Sequence, residues 1–327
     1  MQRRPGQRFP SWGVLKLAGK ATREAYGEAL VELGAVYEEL VVLDADLSKS
    51  TMTAKFQKVY PERFFNVGIA EQNLMGIAAG MAAAGKIPFA STFAIFATGR
   101  AWEQVRNTIA YPGHNVKIAA SHAGITVGPD GASHQALEDI ALMRVIPGMT
   151  VLVPADARET REVVEAAIKH KGPVYIRLGR PAVPDIYGEK YRFKIGEASL
   201  LCDGDDVAIV AAGYMVHAAL SARDILAGEG VAARVINMCS VKPLDNSVLL
   251  EAASTCKAVV TAEEHSIIGG LGSAVAEFLA ERHPVPVRRV GVRDLFGQSG
   301  EPGELLQAYG LTAEDIVREA LEAIRSK

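Results

Sequence analysis

Within FFNVGIAEQNLMG, residues 64–76, one carboxylate, Glu71, sits among Ile69, Ala70, Leu74 and Met75. A buried carboxyl without a partner is costly and keeps its proton unless a charge or donor lies beside it. Glu71 is therefore either a first-turn residue facing water, where it favours the helix dipole, or a group facing something that takes a proton. Two histidines, His122 and His134, bracket the glycine-rich stretch AGITVGPDGAS, which also carries Asp130. Phe93 and Phe96 lie on the preceding apolar run. Singly, each has a plain reading as core aromatic, loop residue or satisfied polar group. Together, a carboxyl, an aromatic pair on the next strand and two imidazoles on the one after form a specific arrangement.

These residues need elements that deliver them to one place. Short apolar runs ending in small or polar residues alternate with stretches of helical period, the pattern of repeated βα units around a mostly parallel sheet. The expected strands are VVLDAD, FFNVG, IPFAST, NVKIAAS, TVLVPAD and PVYIRLGR. Helices are expected over 72–85, 96–110, 134–146 and 157–171, the last with Arg and Glu outward and Val163, Val164, Ala167 and Ile168 inward. A second series begins at DVAIVAAG, after residue 205. In an open parallel sheet ligands bind at the carboxyl ends of strands. Those ends carry Asp44, Asp46, Ser48, Ser50, Glu71, Phe93, Phe96, His122, Asp156 and Arg180, with a thinner set, Glu263, Glu264 and His265, in the second series. AEEH followed by GGLGS has glycines before a helix, but without the spacing of a nucleotide loop it reads as strand–helix packing. CDGDD at 202–206 precedes its strand and reads as a turn.

A chain of 327 residues is long for one core and comfortable for two. The expected division is an α/β domain over 14–180, a linker over 181–200 with two prolines, mixed charge and no sustained period, and a smaller α/β domain over 201–327. Apolar residues at 49% and charged residues at 22% exclude disordered and fibrous classes. A net charge of -3 leaves no electrostatic footprint for nucleic acid. No uncharged apolar run reaches the ~18 residues of a membrane helix, and the basic opening MQRRPGQRFPSWG reads as a loose end. Cys202, Cys239 and Cys256 are far apart and form no CxxC pair, which points to a cytoplasmic protein without a cysteine metal site.

GIAEQN, then STFAIF, SHAGITVGPDGASHQ and IPGMTVLVPAD resemble the thiamine-diphosphate enzymes of the transketolase group, and more narrowly the carboxyl-terminal half of a transketolase split into two polypeptides. The resemblance runs from about Ala21 to the end, in the family's order. It implies a pyrimidine-binding α/β domain with helices on both faces of a parallel sheet, then a transketolase C-terminal domain. It implies that Glu71 hydrogen-bonds ring nitrogen N1' of thiamine diphosphate, so that the ring's exocyclic nitrogen removes the thiazolium C2 proton. The apolar setting would keep the carboxyl protonated enough for this. Phe96, with Phe93 behind it, matches the residue that stacks on the pyrimidine. Asp46 matches a residue near the thiazolium end. Arg23, Ser50, His122 and Arg180 match positions that hold a sugar phosphate. Asp130 matches an acceptor of an aldose hydroxyl, and His134 a contact to the donor near the reacting carbon.

The sequence departs from the family where full-length relatives commonly carry GEDGPTHQ, an Asp after the histidine matching His122 and a Tyr near Gly99; here stand GPDGASHQ and Ala123. The substrate range therefore stays open. Nothing before residue 20 matches the GDG and downstream Asn that hold Mg²⁺ and diphosphate. The resemblance therefore implies an amino-terminal partner subunit of about 250 to 300 residues, supplying the metal ligands in a two-plus-two heterotetramer. Competing readings are a 1-deoxyxylulose-5-phosphate synthase-like chain, the β subunit of a 2-oxo acid dehydrogenase, and a noncatalytic regulatory subunit. The synthase is normally one longer chain whose aromatic segment differs from STFAIF, and the β subunit lacks the Asp130-Gly131 to His134 pattern. A nicotinamide dehydrogenase fits poorly, because no GxGxxG follows a strand.

Overall fold

The computed structural model describes residues 19–325; the basic opening and residues 14–18 of the expected first domain lie outside them. A seven-stranded sheet runs in the order Ser240–Lys242, Thr150–Leu152, Val174–Arg177, Lys117–Ser121, Ile87–Phe93, Leu40–Asp44, Phe64–Asn66. All neighbours are parallel except the Ser240–Lys242 edge, which reaches over from the second half of the chain. Because side chains alternate across a strand, Leu40 and Val42 join Tyr26, Leu30 and Phe56 on one face. Val41 and Leu43 join Leu74, Met75 and Ile109 on the other. Helices thus cover both faces, as expected for a buried parallel sheet.

The second sheet runs Val287–Val292, Ala258–Ser266, Val207–Ala211, Ala233–Asn237, Ser199–Cys202, parallel but for the last strand. Val207 and Ile209 face the helices Met215–Gly228 and Ala313–Arg325, whereas Ala208 and Val210 share a core with Ile118 of the first sheet and Leu74 of the helix Glu71–Ala83. The two sheets therefore back onto common apolar material.

Residues 181–200 make specific contacts near their start: Ala182–Val183 pairs with Lys20–Ala21, and Asp156 accepts Ile186 N–H at 2.6 Å and Tyr187 N–H at 2.8 Å. Three sequence expectations are corrected. The helix expected over 134–146 forms only at Asp139–Arg144, because Ala136 bridges to Ala123 and its carbonyl accepts Gly124 N–H at 2.9 Å. Residues 96–110 are helical but widen into π turns at Phe96–Arg100 and Val105–Ala110, a distortion frequent at functional sites. In Ala157–Lys169 the acids are not all outward: Glu159 and Glu162 are buried.

Glu159 forms a polar joint between the halves. It accepts Ala155 N–H and Tyr191 O–H at 2.7 Å and both hydrogen bonds from Asn237 Nδ2 at 2.9 Å. Burial pushes its carboxyl from 4.5 up to about 7. The folded chain thus keeps a proton that the unfolded chain releases. Its stabilising contribution is complete below 4.5 and is lost as pH rises to about 7. At ~1.4 kcal/mol per pH unit this is worth roughly 3 kcal/mol. Glu159→Gln should flatten the decline in melting temperature over this window; an unchanged decline would place its origin elsewhere. A second joint pairs Arg177 Nε with Asp139 at 2.7 Å, while Arg177 Nη2 donates to Glu264 O at 2.8 Å. Asp139→Ala would strand a buried guanidinium, at a cost of about 3–5 kcal/mol by chemical denaturation.

Candidate functional site

The parallel crossovers bring the loops after Asp44, Asn66, Phe93 and Ser121 to one sheet edge. Glu71 opens the helix Glu71–Ala83 there and is only 2% exposed, so it is both a first-turn residue and a buried one. Phe93 stacks on His122, ring centroids 3.9 Å apart, and lies nearly parallel to Phe96 at 6.0 Å. His134 stands edge-on to Phe96 at 5.4 Å. The carboxylate, the aromatic pair and both histidines expected from sequence thus end at the same edge.

The residue missed by sequence reasoning is Arg100. Its Nη1 donates to Glu71 Oε2 at 2.8 Å, and its Cζ lies 4.4 Å from the Phe96 ring centroid. A cation four residues after an aromatic on one helical face was the available signal. The apolar wall around Glu71 is correspondingly thinner than expected: Leu74 and Met75 are buried, but Ile69 is 78% exposed. A buried carboxylate, an aromatic ring and adjacent imidazoles could hold a flat heterocycle, in the place where the half-exposed Arg100 side chain now covers Glu71 and Phe96.

A second group is cationic. Arg23 donates to Ser50 O at 2.8 Å and to Arg180 O at 3.4 Å, so the two carbonyls orient its guanidinium. Arg180 donates to Val127 O and to Asp130 Oδ2 at 3.3 Å. His122 is held at φ 57 and hydrogen-bonds Ser121 Oγ at 2.9 Å. Burial first, then the charges of Arg23, Arg180 and His134, depress its pKa to about 3. The His122 ring is therefore neutral near pH 7, beside two guanidiniums able to hold an anion.

The remaining strand-end residues make local hydrogen bonds. Asp46, at φ 65, accepts from Asn66 Nδ2 at 2.8 Å. Asp44 secures its own turn through Leu47 N–H, Thr51 and Thr53. Glu263 caps the helix Leu271–Arg282, accepting Leu271 and Gly272 N–H at 2.7 Å, so that helix start is filled by a carboxylate. Among the described residues no group of three or more His, Cys, Asp or Glu is arranged to hold a metal ion, and no helix is long and apolar enough to cross a membrane.

Comparison with known proteins matches residues 18–185 to the transketolase pyrimidine binding domain and residues 196–316 to the transketolase C-terminal domain. A putative transketolase C-terminal section of Methanocaldococcus jannaschii is 50% identical over 319 residues, covering 96% of this chain and 100% of that protein. A 6-deoxy-6-sulfo-D-fructose transketolase subunit of Clostridium sp. is 46% identical, covering 96% and 97%. Human transketolase is 37% identical over 98% of this chain, which spans 52% of that protein. Among solved structures, one described as a split gene transketolase, inactive β4 tetramer, superposes with TM-score 0.87 at 58% identity, covering 94% of this chain and 99% of that one.

The His122 environment makes a direct prediction. Imidazole NMR shifts should show no titration of His122 between pH 5 and 8, and a midpoint near the ordinary 6.5 would contradict the buried, cation-flanked geometry.

Proposed function

Because the chain belongs to the transketolase family, we propose that it is the C-terminal subunit of a two-subunit transketolase. It moves a two-carbon ketol unit from a ketose phosphate to an aldose phosphate, with thiamine diphosphate as cofactor. One observation carries the reading: buried Glu71 shares an edge with the Phe96 face and the His122, Arg23 and Arg180 group. When bound, the cofactor supplies a carbon nucleophile and an electron sink. Glu71 would hold a proton at the pyrimidine nitrogen, releasing Arg100, and Phe96, backed by Phe93, would offer the ring a face. His134 would contact the donor near the reacting carbon, Asp130 would accept a sugar hydroxyl, and Arg23, Arg180, Ser50 and neutral His122 would hold the phosphate end. Asp46 is assigned to the thiazolium side.

In this reading the chain divides into 14–180, a connector over 181–200, and 201–327, in a cytoplasmic two-plus-two heterotetramer. An amino-terminal subunit supplies the Mg²⁺ and diphosphate ligands. The near-complete coverage of split relatives supports a partner, as does the description of one such relative as an inactive β4 tetramer. Three buried, unpaired cysteines fit a reducing compartment.

The test combines this chain with an amino-terminal transketolase subunit, thiamine diphosphate and Mg²⁺, and supplies xylulose 5-phosphate with ribose 5-phosphate. Sedoheptulose 7-phosphate is the expected product. A product dependent on pyruvate would favour synthase-like chemistry, and no turnover with any donor a regulatory subunit. Glu71→Ala should lower turnover at least ~10³-fold while the heterotetramer still assembles; retained turnover would remove Glu71 from the mechanism.

A further inference from the structure

The strand Ala258–Ser266 ends in two buried carboxylates that face different ways. Glu263 is consumed by the helix that follows it. Glu264 leaves its own domain: Oε1 accepts the backbone N–H of Thr126 at 2.7 Å, across 138 residues of sequence. Thr126 lies in the tight helical segment Ile125–Asp130, which ends at Asp130. The approach is close enough that a Cβ at Gly124 would stand 2.3 Å from the Glu264 carboxyl carbon, and Gly124 adopts φ +85. Only glycine gives the carboxylate that access at this backbone conformation.

The same segment is held elsewhere by Gln135, whose Nε2 donates to Gln298 O at 2.9 Å and Ile125 O at 3.2 Å. Arg180 takes Val127 O on the substrate side. Gly128, at φ 82, breaks the helical path in the middle, so the segment has little stiffness of its own. A charge-assisted hydrogen bond to a buried N–H is among the stronger restraints a loop can receive. Leaving that N–H unmade is costly, so the backbone shifts when its acceptor is removed.

We propose that Glu264 is a positioning residue of the substrate site: from the C-terminal domain, its carboxylate fixes Thr126 and thereby places Asp130 at the edge where a sugar hydroxyl binds. The link to the sugar rests on the proposed transketolase function. The link to the loop does not. Glu71 and Phe96 lie on other elements, so losing Glu264 acts on substrate affinity and leaves cofactor activation in place.

The experiment compares Glu264→Met, which fills the space without an acceptor, with Glu264→Gln, which keeps one. Both are assembled with the amino-terminal subunit, thiamine diphosphate and Mg²⁺. Hydrogen exchange of peptides covering 124–131 reads the loop, and steady-state kinetics with xylulose 5-phosphate and ribose 5-phosphate read the site. In Glu264→Met, exchange at Thr126 should quicken about tenfold or more. KM for the aldose phosphate should rise about tenfold, with kcat changed less than ~3-fold. Glu264→Gln should restore both to near wild type. Unchanged exchange in Glu264→Met would overturn the proposal, whatever the enzyme does. Faster exchange with unchanged KM would also overturn it, by showing that the loop moves without consequence for substrate. If the wild-type complex transfers no ketol group from any donor, the functional reading fails, and the exchange comparison alone decides whether Glu264 holds the loop.

Discussion

Everything at the site follows from one geometric constraint: successive parallel strands joined by right-handed crossovers must deliver their loops to the same sheet edge. Once Leu40–Asp44, Ile87–Phe93 and Lys117–Ser121 pair in register, Phe93 and His122 become neighbours although 29 residues separate them in sequence. The helix starting at Glu71 enters from the flanking strand Phe64–Asn66. Its carboxylate is thereby buried at the rim and not in the sheet interior. That placement reconciles two roles, a favourable charge at a helix start and a desolvated group within reach of a ligand.

The second domain is more than an appendage to this edge. Its sheet shares a core with the first, one of its strands extends the larger sheet, and two buried polar joints, around Glu159 and around Asp139 with Arg177, cross the boundary. Buried polar joints of this kind demand full satisfaction, which restricts how the domains can sit. The rigidity is spent on the glycine-rich segment at 124–131. That segment has few internal restraints and takes its shape from Glu264, Gln135 and Arg180.

Much of this was legible in the sequence, for identifiable reasons. Strands buried on both faces read as short apolar runs, so the six parallel strands of the larger sheet were visible, whereas the short Lys20–Ala21 and Ala182–Val183 pair was not. The strand-end rule then pointed to Glu71, Phe93, Phe96 and His122 before any contact was known. What stayed hidden depended on partners distant in sequence or on competition for backbone groups. The apolar period at 134–146 predicted a full helix, but Ala136 and Gln135 are committed to the neighbouring loop. Arg100 lay within the expected 96–110 helix, and its spacing from Phe96 could not show that Glu71 lay across from it. The acids of Ala157–Lys169 looked solvated, since amphipathic spacing does not reveal that Tyr191 and Asn237 meet Glu159 from the other half of the chain.

The proposed function requires that this edge place Glu71 to control proton movement on the pyrimidine half of a cofactor whose charged end a second subunit would hold. The most direct measurement is the rate at which the thiazolium C2 proton of bound thiamine diphosphate exchanges with deuterium in the assembled complex, followed by quenched NMR, for wild type and Glu71→Gln. The account predicts exchange slowed by at least ~10²-fold in the variant, with the cofactor still bound. Equal exchange rates at full occupancy would contradict it.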